Sequence, residues 1–296
     1  MSASRQRPPR LRGGHRRPTA RDLELEAARR GAPARRRLAP RSEPLAMLVR
    51  RGLVPQLSRI DVPFDAALPA AQLDAISARL QHYAFRLFLR GAILAPDAFL
   101  PSEASHYLAA GPAREVAEDC VALGLAERRP EGRYRLVTPA HSFGGTLEWW
   151  MARELEARLG IEVATRVRSG ATGVGGDLDL VGAIEGKLLY AELKSGPPKH
   201  LTDAEVHAFL GRVRAIRPAV TLFVMDTALR LSDKVLPMFE GALAASGAPP
   251  VPFRRVVRDT WAITPHAFVV SAKEDLIGNA CRCIADGLLA LAPTPP

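Results

Sequence analysis

The amino-acid sequence predicts an α/β fold, a mixed sheet flanked by helices and preceded by a small helical domain. Three observations carry this expectation. From about residue 144 onward, helix-period and strand-period apolar patterns alternate along the chain. Within that stretch, two strand-like runs, 177–183 and 188–194, flank the dipeptide Glu185-Gly186, a short hairpin signal. Before residue 144 the apolar segments are short, mostly helical in period, and broken by Pro and Gly.

Taken in order, residues 1–43 are rich in Arg, Pro, Ala and Gly without periodicity and read as a disordered tail. Residues 44–143 read as a helical, winged-helix-like domain. Helical periodicity runs over 69–90, a short helix over 102–110 is capped by Ser102, and Gly111-Pro112 makes a turn. A second helix then runs over 113–123 to Gly124, and LAERR and RYRLV flank Pro130-Glu131-Gly132 as a hairpin. The second helix carries Arg114 but also Glu115, Glu118 and Asp119, so protein contact is a better use for it than a DNA groove. Residues 144–296 read as the α/β domain: helix 145–159, strand 161–168, a Gly-rich loop 169–176, strands 177–183 and 188–194, and helix 202–214 opened by the capping box Thr202-x-x-Glu205. Strand 219–225, helix 231–245, strand 266–271 and helix 274–291 complete it.

Composition narrows the function classes. The chain has 296 residues, 47% of them hydrophobic, enough for a substantial core. No apolar run approaches the roughly 20 residues that span a bilayer, and the N-terminus lacks the apolar segment of a secretory signal, so a cytoplasmic protein with no membrane partner is expected. An Arg-rich, acid-poor start is also compatible with a mitochondrial transit peptide. The formal net charge of +10 lies entirely in the first 50 residues, which hold 14 Arg against 4 acids. The high pI therefore says little about the folded part, although the tail can attract phosphates. Cys120, Cys281 and Cys283 form no framework spacing and read as reduced thiols.

The chemistry-bearing segment is DLDLVGAIEGKLLYAELK, residues 177–194. With Glu185-Gly186 as the loop, Ile184 faces Lys187, which sets Asp179 across from Glu192 and Asp177 across from Lys194. Asp177, Asp179 and Val181 then share a face with Tyr190, Glu192 and Lys194. Opposed carboxylates repel, and a divalent cation between them removes that cost. Lys194, two residues past Glu192, can orient or deprotonate a metal-bound water or stabilise charge on phosphorus. Only five Lys accompany 36 Arg, so generic positive charge is a poor explanation for a Lys here. The competing reading is a solvated hairpin with an Asp177–Lys194 pair. In the preceding helix, Leu147, Met151, Leu155 and Leu159 form the apolar stripe, and Glu148 falls on it. A carboxylate there needs a partner, such as a shared metal; alternatively it complements the helix dipole. Glu154 is a second choice, and Glu156 points outward.

A helix bearing a Glu, a strand with an Asp and a neighbouring strand with E-x-K resembles the PD-(D/E)xK superfamily, the restriction-endonuclease-like fold. Glu148, Asp179 and Glu192-Leu193-Lys194 carry the resemblance over about 144–225, with Asp177 at a second frequently acidic position and Gly145 and Gly160 bracketing the helix. The Pro that gives the family its name is absent before the Asp. The resemblance implies a DNA endonuclease using Mg²⁺ or Mn²⁺, in genome defence or repair. It makes Asp179 and Glu192 metal ligands, Glu148 an accessory acid and metal ligand, and Lys194 the charge stabiliser. DNA is the implied partner, and homodimerisation is left open. The alternatives are a catalytically inactive nuclease-like module binding DNA or a protein through the winged-helix-like region, and a purely structural α/β domain.

Other features are discounted. GATGVGGD lacks the Lys-Ser/Thr of a phosphate-binding loop and is read as a loop beside the site. His200 and His207 fit solvent exposure or helix packing better than catalysis. Trp149 and Trp150 fit packing better than base stacking.

Overall fold

Why the chain forms one large sheet is visible in its strand residues. Strands rich in Leu, Val and Phe in the last two-fifths of the protein bury both faces, and helices cover each side. The computed structural model describes residues 42–95, 97–169, 176–247 and 251–292. They belong to one compact unit, Arg41–Pro296. The tail expectation for residues 1–41 and most of the Gly-rich loop lie outside the described residues.

The elements are α1 (Glu43–Arg50), β1 (Pro55–Leu57), α2 (Ala70–Leu80), α3 (Tyr83–Ile93), α4 (Pro101–Ala104), α5 (Ala110–Ala122), β2 (Ala126–Arg128) and β3 (Tyr134–Leu136). These are followed by α6 (Gly144–Leu159), β4 (Glu162–Ser169), β5 (Asp177–Ile184), β6 (Lys187–Lys194), α7 (Asp203–Ile216) and β7 (Val220–Met225). The chain ends with α8 (Val235–Ala245), β8 (Arg254–Val257), β9 (Thr260–Thr264), β10 (Ala267–Ser271) and α9 (Leu276–Leu289). Eight strands form one sheet in the order β1-β4-β5-β6-β7-β10-β9-β8, and β2 and β3 form a separate two-stranded sheet. The β6–β7 and β7–β10 pairs are parallel; the other pairs in the large sheet are antiparallel. The expected mixed sheet flanked by helices is the architecture observed.

One face of the sheet packs on α2, α3, α5, α6 and α9 through residues such as Phe88, Leu147, Met151, Leu189 and Ile277. The other packs on α1, α7 and α8 through residues such as Leu48, Val181, Phe209, Phe223 and Phe239. Phe209 anchors that second face, T-shaped against Phe223 at 5.0 Å and stacked on Tyr190 at 5.8 Å. The helices of residues 70–122 therefore share a core with the sheet. A buried ion cluster reinforces the junction: Asp226, just past β7, lies 3.0 Å from Arg86 and 2.9 Å from Arg90, both on α3. Arg86 also lies over the Trp150 ring at 4.7 Å, and Trp149 packs edge-on against Phe64, so both tryptophans serve packing as expected.

Several expectations shift in detail. The helical stretch 69–90 is two helices, α2 and α3. The helix expected over 102–110 is the short α4, which starts at Pro101, so Leu100 and not Ser102 precedes its first turn; Glu103 accepts the Leu100 N–H at 2.8 Å. The helix and hairpin that follow appear as α5, β2 and β3. β8 and β9 were not anticipated, because Arg-Arg-Val-Val and Thr-Trp-Ala-Ile-Thr are too short and polar to show a period. Among the described residues no helix is long and apolar enough to cross a membrane.

Candidate active site

Local sequence builds the β5–β6 hairpin as expected. Glu185 and Gly186 both adopt positive φ, 49° and 69°, the pattern of a type I′ turn. Ile184 pairs with Lys187, and the ladder continues in that register to Leu180 opposite Ala191. There the ordinary pairing stops. The Leu193 N–H is taken by the Asp179 carboxylate, Oδ2 at 2.7 Å, instead of by a backbone carbonyl. Asp179 thus occupies the fork where the two strands part.

The strict alternation expected through Asp179 also breaks. Leu180 packs in the α6-side core, whereas Leu178 packs with Val181 in the α7-side core. The neighbouring strand has its irregularity at the same level: Arg166 has φ 53°, and the β4–β5 ladder skips the Arg166–Asp179 position. The expected Asp177–Lys194 facing is replaced accordingly. Asp177 sits opposite Arg168 and pairs with it at 3.2 Å, which removes the competing Asp177–Lys194 salt-bridge reading.

Glu192 and Lys194 sit on β6 on the α7 side. Glu192 is 4% exposed, and its carboxylate holds three neighbours together. Its Oε2 accepts the Tyr190 hydroxyl at 2.5 Å and lies 2.8 Å from Arg212, while Oε1 lies 3.1 Å from Lys194. Arg212 also donates to the Tyr190 hydroxyl at 2.9 Å. Lys194 bridges onward to Glu205 at 3.0 Å, the same residue that closes the Thr202 capping box at the start of α7. Burial works against the Lys194 ammonium, but Glu192 and Glu205 more than offset it, so its pKa stays above the ordinary lysine value. Lys194 is therefore held as a cation and is better suited to stabilise charge or orient water than to take a proton.

Glu148 projects from the first turns of α6 toward this group. Among the described residues its buried Oε2 has no hydrogen-bond partner. Burial first, and then the charge of Asp179, push its carboxyl up to about 8, with Arg166 acting in the opposite direction. Burial and the Glu192 charge likewise raise Asp179. Glu148, Asp179 and Glu192 thus influence one another electrostatically. Glu154, the second choice on α6, is committed elsewhere: it accepts from Ser77 at 2.6 Å and from Arg158 at 3.2 Å. Glu156 is exposed, as expected.

Two basic residues escaped sequence reasoning. Arg212 lies one helical face along α7 and reads in sequence as one Arg among many. Arg166 is half-buried beside Glu148 and Asp61, with Nη1 lacking a partner. At Gly145 a Cβ would come within 2.2 Å of the Asp61 carbonyl oxygen, so only glycine lets α6 approach that segment. Of the discounted histidines, His207 bonds the Asp203 carbonyl at 2.8 Å, and His200 is exposed beside the site.

No family model matches this chain, and no curated protein does. Solved structures similar to this chain include two. One is the protein VC1899 from Vibrio cholerae, with a TM-score of 0.46, 12% identity, 82% of this chain covered and 62% of that one. The other is Can2 from Sulfobacillus thermosulfidooxidans in complex with cyclic tetra-adenylate, with a TM-score of 0.48, 13% identity, 81% of this chain covered and 60% of that one. The chain spans about three-fifths of the length of each. Similarity at this level assigns no residue a role.

Among the described residues no three His, Cys, Asp or Glu side chains converge in a ready cage. The reason is local: Glu192 is turned toward Arg212, Tyr190 and Lys194. Asp179 and Glu148, however, are oxygen donors with raised pKa values, and one Glu148 oxygen has no donor at all. Hard oxygen ligands of this kind, short of compensating charge, fit Mg²⁺ or Mn²⁺.

Proposed function

We propose that this chain is a metal-dependent nuclease that hydrolyses DNA phosphodiester bonds in genome defence or repair. What supports the reading is the strand fork at Asp179, whose charge acts on the partnerless Glu148 carboxyl, beside Glu192-Leu193-Lys194. Asp179, Glu192 and Glu148 are the residues that would hold Mg²⁺ or Mn²⁺. When bound, such an ion supplies an activated water and neutralises charge on the phosphoryl oxygens.

The chain's own groups do the remaining work. Leu193 N–H fixes one oxygen of Asp179. Arg212 and Tyr190 hold Glu192 Oε2, leaving Oε1 on the Lys194 side. Glu205 positions the Lys194 ammonium, which can donate to a nonbridging phosphate oxygen as negative charge grows there. A structural reading in which these acids are surface charges leaves the partnerless Glu148 oxygen unexplained.

The test is a cleavage panel. Duplex, single-stranded, branched and RNA substrates are incubated with the purified chain in Mg²⁺ or Mn²⁺, alongside Asp179→Asn. Metal-dependent cleavage that is lost in the variant is the expected result. Absence of cleavage across the panel, or equal cleavage by the variant, defeats the proposal.

A further inference from the structure

Three adjoining clefts run away from Lys194. The first, about 230 Å³, is lined by Lys194, Glu205, Pro197 and His200. Pro197 and His200 also line the second, about 710 Å³, which adds Lys199, Arg230 and Tyr107. Arg230 also lines the third, about 290 Å³, with Arg255, Lys273 and Trp261. The clefts are thus linked residue by residue.

The charges along them differ from the ion-paired arginines nearby, Arg254 with Asp286 and Arg258 with Glu274. Among the described residues, none of Lys199, Arg230, Arg255 and Lys273 has a carboxylate partner. The track holds two acids beyond Glu205. Asp259 is occupied by the Leu231 N–H at 2.9 Å and the Trp261 indole, and Asp233 by the Ser232 hydroxyl. Four cations without a carboxylate partner, along clefts that begin at a proposed phosphodiesterase site, suit a polynucleotide backbone, which carries a charge at every phosphate. Tyr107 adds a second signal. It is 81% exposed, beside Leu229 at 58%. A duplex hides its base faces, whereas an unpaired strand presents them to an exposed ring.

We infer that this track is a guide for one unpaired nucleic-acid strand, with phosphates following Lys199, Arg230, Arg255 and Lys273 and a base stacking on Tyr107. The inference deepens the nuclease reading and rests on it, since it names the strand delivered to Lys194.

The experiment measures binding of the full chain, in EDTA, to a labelled single-stranded oligodeoxynucleotide, its oligoribonucleotide counterpart and the matched duplex. The single strands should bind more tightly than the duplex, and the tighter of the two names the sugar. Tyr107→Ala should weaken single-strand binding about tenfold while Tyr107→Phe retains it. Lys199→Ala with Arg230→Ala should flatten the salt dependence by about one unit of log–log slope per lost contact. Duplex binding as tight as single-strand binding, or unchanged affinity in these variants, overturns the inference. Because the assay contains no metal, it is separate from the cleavage panel. Guided binding without cleavage removes the nuclease reading, and cleavage without guided binding removes the track.

Discussion

Arg212 and Tyr190 converge on the same oxygen of Glu192, the guanidinium at 2.8 Å and the hydroxyl at 2.5 Å. This clamp ties α7 to β6 and decides which Glu192 oxygen is left for chemistry. Side-chain exposures of 10% and 5% place the ion pair inside the protein. Arg212→Ala strands a buried carboxylate and should cost about 3 kcal/mol in urea unfolding. Glu192→Gln can still accept from both donors, so it should fold with a smaller loss while cleavage disappears. An Arg212→Ala protein as stable as wild type would show that the clamp is incidental.

Lys194 offers a separation of rate from stability. Its ammonium is held charged between Glu192 and Glu205. Lys194→Ala should lower the cleavage rate by about 10²-fold or more, in the range of a lost charge-stabilising donor, with little change in melting temperature. Lys194→Arg should also be poor, since a planar guanidinium does not reproduce a compact ammonium bridging two carboxylates about 3 Å away. Wild-type kinetics in Lys194→Arg would count heavily against the proposed chemistry.

Glu148 links pH to metal. Its folded-state carboxyl is raised to about 8 from an ordinary 4.5, so the metal-free protein is favoured while Glu148 is protonated. That stability is fully present below the unfolded value and is lost as pH rises through the folded one. In EDTA the melting temperature should therefore decline as pH approaches about 8. Mg²⁺ must displace the proton, so its stabilising effect should grow over the same interval. Glu148→Gln should flatten both trends. A Mg²⁺ effect that is pH-independent in wild type would detach Glu148 from the metal.

Asp226 tests the junction between α3 and the sheet. It is fully buried between Arg86 and Arg90, and its N–H donates to the Lys194 carbonyl at 2.8 Å. Asp226→Asn leaves Arg86 buried without its counter-charge and should destabilise by about 3–5 kcal/mol. Denaturation monitored by circular dichroism reads the loss. A shift under 1 kcal/mol would mean that the two arginines find other partners.

The sequence by itself determined most elements of the α/β part and the hairpin register as far as Leu180 opposite Ala191. Those depend on short-range physics: period-two alternation, a two-residue turn with positive φ, and a capping box at Thr202 and Glu205. It also placed Glu148 on a core-facing stripe, because helical periodicity needs no knowledge of the partner surface. Only the tertiary structure decided where alternation fails. The break at Asp179 follows from the irregular Arg166 backbone in the neighbouring strand and from β5 and β6 parting beyond Ala191, and neither has a local signature. It alone decided that Asp177 pairs with Arg168 and that Arg212, 20 residues past Glu192, clamps that carboxylate. Ion pairing is set by distance in space, and in a chain with 36 arginines the sequence offers no way to choose among them.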